Sequence, residues 1–324
     1  MHSTKLLCLI VPLYQEKLGQ FERKGVMDFR QVLEDGSHRL DPDYRKVLYY
    51  YPMQNSGIEY LSHIKPAEIK IALFDFDGTL SLIRRGWQQI MIEFMVDTLL
   101  KLDTGETARE LHEVVEDYVV RLTGKQTIYQ MIQLADEISK RGGTPLDPLD
   151  YKKEYHNRLW DLIEHRVEGL RSGREDPENW LLPGSREFLD ELAKRGVKIF
   201  LASGTDAEYV IDEVELLGLT PYFSEGIHGA RDDYHQFSKK MLIDELFRTY
   251  QLQGPEFIAF GDGYVEIEDT RKKGGITVGL ASNEETGFGI NEWKRKRLIK
   301  AGADCIMPNF IAAGKLLPIL FPEG

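Results

Sequence analysis

Cysteine is scarce in this chain, which has only Cys8 and Cys305 among its 324 residues. Two cysteines are too few for a disulfide framework, and these two do not have the spacing of zinc ligands. The scarcity fits a reducing compartment. We therefore expect both thiols to be ordinary core side chains.

Positive charge is also scarce. The chain has 41 Lys and Arg residues and 53 Asp and Glu residues, which gives a formal net charge of −12. A field of this sign repels polyanions, which excludes nucleic acid and anionic membranes as default partners. A small anion can still bind at a local site. The charge balance therefore favours a small-molecule ligand.

Long apolar runs are missing as well. The segment Leu6–Leu13 follows a single lysine and has no small-residue cleavage site after it, so it predicts a buried strand and not a signal peptide. No run approaches the roughly 20 apolar residues that are needed to cross a bilayer. We therefore expect a soluble, cytoplasmic protein.

The residues that are present, 42% hydrophobic and 29% charged, are typical of a globular protein of one large domain or two ordinary ones. From about residue 69, short runs that are apolar throughout alternate with longer amphipathic segments, as in a parallel sheet with both faces covered. The predicted strands are Ile69–Phe74, Val197–Ala202, Phe257–Phe260, Ile276–Leu280 and Asp304–Met307, and helices are predicted over Ser185–Arg195 and Lys239–Tyr250. This order predicts a doubly wound, Rossmann-like α/β fold.

One interval, between Thr79 and Pro183, has no strand pattern. Its periodicity predicts four helices, over Trp87–Leu102, Glu106–Leu122, Thr127–Lys140 and Tyr151–Val167. We therefore predict a core of residues 67–83 and 178–324, interrupted by an α-helical cap domain over residues 84–177. Residues 1–66 form an N-terminal extension of unknown role that either packs against the core or contacts a second subunit in a homo-oligomer.

Polar residues follow three of the predicted strands. Asp75 and Asp77 follow the first strand, Ser203–Thr205 follow the second, and Asp262 follows the third, with Glu266 four residues later. Ligands bind beyond the carboxyl ends of parallel strands, so these residues are expected to meet there. Carboxylates that converge need a neutralising cation, and oxygen ligands without His or Cys favour Mg²⁺.

Four ordered motifs lie at these positions: DFDGT at residues 75–79, LASGT at 201–205, SKK at 238–240 and GDGYVE at 261–266. The first is highly specific, and the others gain weight from their order. From about residue 69 to residue 321 the chain resembles the haloacid dehalogenase (HAD) superfamily, within its group of Mg²⁺-dependent phosphatases with a helical cap inserted after the first motif.

The resemblance implies that Asp75 is the nucleophile, which forms an aspartyl-phosphate, and that Asp77 is the general acid and base. It also implies that Mg²⁺ binds the side chain of Asp75, the backbone carbonyl of Asp77 and the carboxylate of Asp262. Glu266 fills the second acidic position of the last motif and meets the metal directly or through water. Asp269 is a weaker candidate for the same task.

The phosphate is expected to bind Thr79, Ser203 and the amide of Gly204, at the N-terminus of a helix, together with a lysine. Lys239 fits the family's register better than Lys240 does, because apolar residues follow it on one helical face. Either lysine remains possible on sequence alone.

Substrate choice is expected to lie in the cap, where Arg84, Arg85, Lys125 and Gln126 are the candidate substrate-binding residues. A basic surface patch and a capping loop are the alternative for Lys125 and Gln126. The whole pattern predicts a phosphatase that acts on a small phosphorylated metabolite. Two alternatives remain: a phosphomutase of the same superfamily, and a catalytically idle regulatory or binding protein with the same fold.

Overall fold

A computed structural model describes residues 57–64 and 67–321 of the chain. The predictions made for Cys8, for the strand at Leu6–Leu13 and for most of the N-terminal extension lie outside the described residues. Cys305 is a buried free thiol, which confirms the prediction made for it. No helix in the described ranges is long and apolar enough to cross a membrane.

Within the described ranges, seven strands form one sheet in the order β1-β7-β6-β5-β2-β3-β4. All neighbouring strands are parallel except β1 and β7, which are antiparallel. The strands are β1 (Glu59–Tyr60), β2 (Ile71–Phe74), β3 (Lys198–Asp206), β4 (Ile227–Ala230), β5 (Phe257–Gly261), β6 (Ile276–Leu280) and β7 (Cys305–Met307). Strand β1 belongs to the predicted extension, so residues of that segment form one edge of the sheet.

The central strands are apolar throughout because helices cover both faces of the sheet. In β2, Ile71 and Leu73 pack into one hydrophobic cluster, while Ala72 and Phe74 pack into a larger one on the other face. Phe74 stacks on Phe260 of β5 with ring centroids 4.5 Å apart. The prediction of a doubly wound, parallel α/β sheet is therefore confirmed.

Four helices lie between β2 and β3, in the interval predicted to be helical. They are α1 (Trp87–Leu100), α2 (Ala108–Leu122), α3 (Ile128–Lys140) and α4 (Pro148–Arg171). Helix α4 begins three residues before the predicted start because Asp147 caps it, accepting from the amide of Leu149, and proline suits the first helical position. The domain boundaries at residues 84 and 177 remain a prediction.

Six further helices complete the described fold. They are α5 (Ser185–Lys194), α6 (Ala207–Leu216), α7 (Lys239–Thr249), α8 (Val265–Lys272), α9 (Glu292–Ala301) and the short α10 (Leu317–Leu320). Strands β5, β2 and β3 are neighbours in the sheet, so the loops that follow them meet at one edge.

Candidate active site

The first loop of the site is the turn after β2. Asp75 continues the ladder, since its amide donates to the carbonyl of Phe260 at 2.9 Å. The chain then turns away at Gly78, whose φ of +72° favours glycine. A β-carbon on Gly78 would lie 2.4 Å from Oδ2 of Asp262, so only glycine lets the two loops approach this closely.

Asp75 lies between a buried lysine and other acids. Its side chain is only 6% exposed, and its Oδ1 lies 2.8 Å from Nζ of Lys239. The same ammonium lies 2.9 Å from Oε2 of Glu266. Burial raises the pKa of Asp75 well above its ordinary value; Lys239 opposes that shift, while Glu266 and Asp262 add to it. One buried ammonium therefore forms ion pairs with two buried carboxylates.

The structure brings Lys239, and not Lys240, to Asp75. Lys240 is exposed and pairs with Asp244 on the same helix. Helix α7 begins at Lys239, behind a cap formed by Ser238, whose hydroxyl accepts from the amide of Met241. The first residue of α7 therefore points its ammonium into the site.

Asp77 is held on one side only. Its Oδ2 accepts hydrogen bonds from the hydroxyls of Thr205 at 2.8 Å and Ser203 at 3.3 Å. Its Oδ1 is buried and has no hydrogen-bond partner among the described residues, although Nε of Arg84 lies 3.9 Å away. The described residues therefore leave the hydrogen-bonding capacity of this oxygen unused.

Three carboxylates form a cluster that can hold a metal ion. Asp75, Asp262 and Glu266 each offer an oxygen, and these oxygens all lie within 4.8 Å of one another. Both oxygens of Glu266 already accept hydrogen bonds, one from Lys239 and one from the amide of Gly263. The donor set fits a hard divalent cation. Asp269 instead pairs with a lysine on its own helix.

The predicted phosphate-binding residues separate into two groups. Ser203 and Gly204 line the cavity beside Asp75, but they lie within β3, and the next helix begins only at Ala207. Both residues precede the N-cap of that helix, Asp206, by two or three positions, and phosphate binding at this helix N-terminus remains a prediction. Thr79 is fully buried and does not line the cavity; its hydroxyl accepts from the amide of Asp262 at 3.0 Å and so orients that loop.

The loop between α2 and α3 covers the site. The amide of Thr127 donates to the carbonyl of Gly204 at 3.3 Å. Gly124 lies against Gly263, where an added β-carbon on Gly263 would be 3.0 Å from the Cα of Gly124. Beneath this loop lies a partly open cavity with a volume of about 70 Å³.

The four candidate substrate residues do not share one location. Arg84 and Lys125 line the cavity, whereas Arg85 and Gln126 do not. Arg85 lies over the ring of Trp180, with its guanidinium carbon 5.3 Å from the ring centroid. The amide nitrogen of Gln126 donates to a backbone carbonyl of the core, that of Phe237, at 2.6 Å. Gln126 therefore anchors the loop.

Two buried side chains that pair with site residues, Glu213 and Lys294, were not predicted from the sequence. Arg84 is bound by Glu213 of α6, whose Oε1 accepts from Nε of Arg84 at 2.8 Å. Burial raises the pKa of Glu213 to about 7, although Arg84 lowers it. Lys294 of α9 is buried, with Nζ 2.6 Å from Oδ2 of Asp262 and 2.6 Å from Oε1 of Glu284. Arg84 and Glu213 are 129 positions apart, and Lys294 and Asp262 belong to different motifs and elements, so no local motif could have identified these two pairs.

Comparison with known proteins agrees with this geometry. A family profile described as "Hydrolase: haloacid dehalogenase-like hydrolase" matches residues 69–268. No curated protein matches the chain.

Among solved structures, the chain is similar to a predicted phosphatase from Clostridium acetobutylicum, at 18% identity and a TM-score of 0.51, covering 78% of this chain and 100% of that one. It is also similar to a predicted phosphoglycolate phosphatase from Haemophilus somnus 129pt (18% identity, TM-score 0.48, covering 77% and 98%). A beta-phosphoglucomutase from Clostridium difficile matches at 14% identity and a TM-score of 0.46, covering 72% and 98%. At these identities the likeness concerns the fold alone.

Proposed function

Because this chain belongs to the haloacid dehalogenase-like hydrolase family, we propose that it is a phosphatase that hydrolyses a small phosphomonoester through an aspartyl-phosphate on Asp75. The observation that carries the proposal is the pairing of two aspartates in one cavity. Asp75 is held 2.8 Å from a buried ammonium, and Asp77 keeps one oxygen without a hydrogen-bond partner among the described residues. These are the requirements of a nucleophile and of a proton donor.

Asp75 is prepared for attack by contacts that fall on one oxygen. Both the ammonium of Lys239 and the amide of Phe76 lie 2.8 Å from Oδ1. Oδ2 can therefore form the bond to phosphorus while the bond from phosphorus to the ester oxygen breaks. Lys239 would also stabilise the negative charge of the transferring phosphoryl group, since positioned positive charge accounts for most of the catalysis of phosphoryl transfer.

Asp77 would move the proton in both half-reactions. Protonated Asp77 gives its proton to the departing ester oxygen, and the resulting carboxylate then takes a proton from the water that attacks the aspartyl-phosphate. The hydroxyls of Thr205 and Ser203 hold Oδ2, which keeps Oδ1 directed to one position. The phosphoryl oxygens would meet Ser203 and the backbone of Gly204, which line the same cavity.

We propose Mg²⁺ as the cation of the carboxylate cluster. Asp75, Asp262 and the backbone carbonyl of Asp77 would hold it, with Glu266 acting through the hydrogen bonds that it already makes. A bound Mg²⁺ supplies positive charge that reduces the repulsion between the carboxylate of Asp75 and the phosphate. The all-oxygen donor set supports this choice over zinc.

The first test is a panel of phosphomonoesters assayed for inorganic phosphate in the presence of Mg²⁺. We expect hydrolysis of a narrow class of esters and loss of activity after chelation, restored by added Mg²⁺. Release of one phosphate per ester consumed identifies a phosphatase, whereas an isomerised phosphate ester without phosphate release identifies a mutase. Activity that persists in chelator would contradict the metal assignment, and no turnover on any ester would favour an idle binding protein.

Metal binding should also stabilise the fold in a pH-dependent manner. Burial raises the pKa of Asp75, so the folded metal-free protein binds more protons than the unfolded chain. The stability contributed by that carboxyl is complete below its ordinary pKa and is lost as the pH rises towards the raised value. Mg²⁺ binds only the ionised carboxylates, so we expect it to raise the melting temperature more at about pH 8 than at about pH 5.

Differential scanning calorimetry measures this effect. At a Mg²⁺ concentration of about 100 times Kd the stabilisation is about 2.7 kcal/mol, which corresponds to a shift of several degrees. The matched control is Asp262→Asn, which removes one carboxylate of the cluster and should lose most of the shift. An equal shift at both pH values, or an undiminished shift in Asp262→Asn, would show that Mg²⁺ binds elsewhere.

A further inference from the structure

We infer, resting on the proposed phosphatase function, that the substrate carries a short, uncharged, hydroxylated tail, and that Gln130 recognises its hydroxyl groups. The inference comes from three properties of the cavity: its size, the balance of charge around Arg84, and an amide that lacks a partner. Each property restricts a different feature of the substrate.

The size of the cavity limits the length of the tail. Its volume is about 70 Å³, whereas pockets for drug-sized ligands measure roughly 300 to 1,000 Å³. The covering loop cannot settle closer or shift sideways freely, because Gly124 and Gly263 meet backbone to backbone. With the loop in this position, the cavity suits a tail of a few heavy atoms better than a nucleoside or a hexose.

The charges around the cavity disfavour a carboxylate on the tail. Nη2 of Arg84 lies 2.7 Å from the carboxylate of Glu213, and Nε lies 3.9 Å from that of Asp77. One guanidinium thus faces two carboxylates. Lys125 is exposed and lies over the ring of Tyr129 at 5.5 Å, at the edge of the cavity. An incoming carboxylate therefore meets no uncompensated positive charge at Arg84.

Gln130 supplies the recognition element. It belongs to the first turn of α3, lines the cavity and is only 2% exposed. Its Oε1 is buried and has no hydrogen-bond partner among the described residues. A buried acceptor without a partner destabilises the fold, and a hydroxyl group of the substrate would remove that cost. An amide both donates and accepts, and so does a hydroxyl.

Neighbouring polar groups do not compete for this role. The hydroxyl of Thr123 already donates to the carbonyl of Val119 at 3.0 Å. Tyr155 lines the cavity as a neutral phenol, because burial raises its pKa. Thr123 and Tyr155 therefore add no charge to the lining, which suits an alcohol better than an anion.

Steady-state kinetics on three small esters test the inference: sn-glycerol 3-phosphate, 3-phosphoglycerate and n-propyl phosphate. We expect kcat/KM for glycerol 3-phosphate to exceed that for the other two by at least about tenfold. Gln130→Leu should lower kcat/KM for glycerol 3-phosphate by about 10- to 100-fold. With propyl phosphate, which has no hydroxyl to recognise, the change should stay within about twofold. Gln133→Leu, on the same helix but outside the cavity, is the matched control.

The outcomes separate this inference from the proposed function. A preference for 3-phosphoglycerate, or hydrolysis confined to larger esters, overturns the inference and leaves the phosphatase intact. Absence of hydrolysis on any ester overturns the proposed function itself. If Gln130→Leu lowers kcat/KM equally for glycerol 3-phosphate and propyl phosphate, Gln130 has a structural role only. That result overturns the recognition of the hydroxyl groups by Gln130. If Gln130→Leu does not fold, two other measurements test the inference. They are the kinetics of the shorter variant Gln130→Asn and the preference of the unaltered protein among the three esters.

Discussion

Replacing Asp75 by asparagine is expected to reduce phosphate release by on the order of 10³-fold or more, because the amide cannot form the aspartyl-phosphate. The variant should nevertheless fold. Burial raises the pKa of Asp75, so the folded state already disfavours its charge, and Lys239 keeps its second partner, Glu266. Normal folding with lost turnover would locate the defect in the chemistry.

Two measurements, covalent labelling and the turnover rate, test this prediction. Acid quenching during turnover of a ³²P-labelled ester should trap label on the unaltered protein and none on Asp75→Asn. Asp161→Asn, an exposed aspartate of α4, is the control and should retain both label and rate. Turnover by Asp75→Asn at more than about a tenth of the parent rate would rule out the covalent mechanism.

Replacing Lys239 by methionine is expected to cost about 3 to 5 kcal/mol of unfolding free energy at about pH 8 in metal-free solution. Lys239 is only 4% exposed, and its ammonium lies within 2.9 Å of both Asp75 and Glu266. Its removal leaves two buried carboxylates without their shared cation. Breaking a buried ion pair on one side is costly because the remaining charge is uncompensated.

The loss should shrink as the pH falls. Without the ammonium the folded-state pKa of Asp75 rises further, so the folded variant takes up protons, and stability returns as the pH drops. Urea unfolding at about pH 8 and about pH 5 measures this difference. Lys240→Met is the matched control: its pair with Asp244 lies on the surface, and the expected change is within about 1 kcal/mol. A comparable loss in both variants would contradict the distinct role of Lys239.

The sheet and the acids of the candidate site could be predicted because buried strands are apolar throughout in the sequence. Strand β6, Ile276–Leu280, was predicted with its observed bounds because both of its faces are covered. Strand β4 was missed, since Ile227–Ala230 contains His228 and Gly229 and offers no apolar run. Asp75 and Asp262 were recognisable because they directly follow buried strands.

The residues that pair with the site residues could not be predicted from the sequence, because these pairs form only through tertiary contacts. Arg84 meets Glu213 across 129 positions of the chain. Lys294 lies in the charged run Trp293–Arg297, which looks like an ordinary solvated helix face until the fold buries one of its lysines. Gln126 was predicted to contact substrate, but its amide instead finds two carbonyls more than 100 positions away.

The hydrogen bonds of Gln126 couple the covering loop to the segment that precedes Lys239. Its amide nitrogen holds the carbonyls of Tyr234 and Phe237, in the segment that leads directly into Lys239. An outward movement of the covering loop would break both hydrogen bonds. We therefore expect closure of the covering loop and placement of the Lys239 ammonium beside Asp75 to occur together. An open site would then lack its lysine.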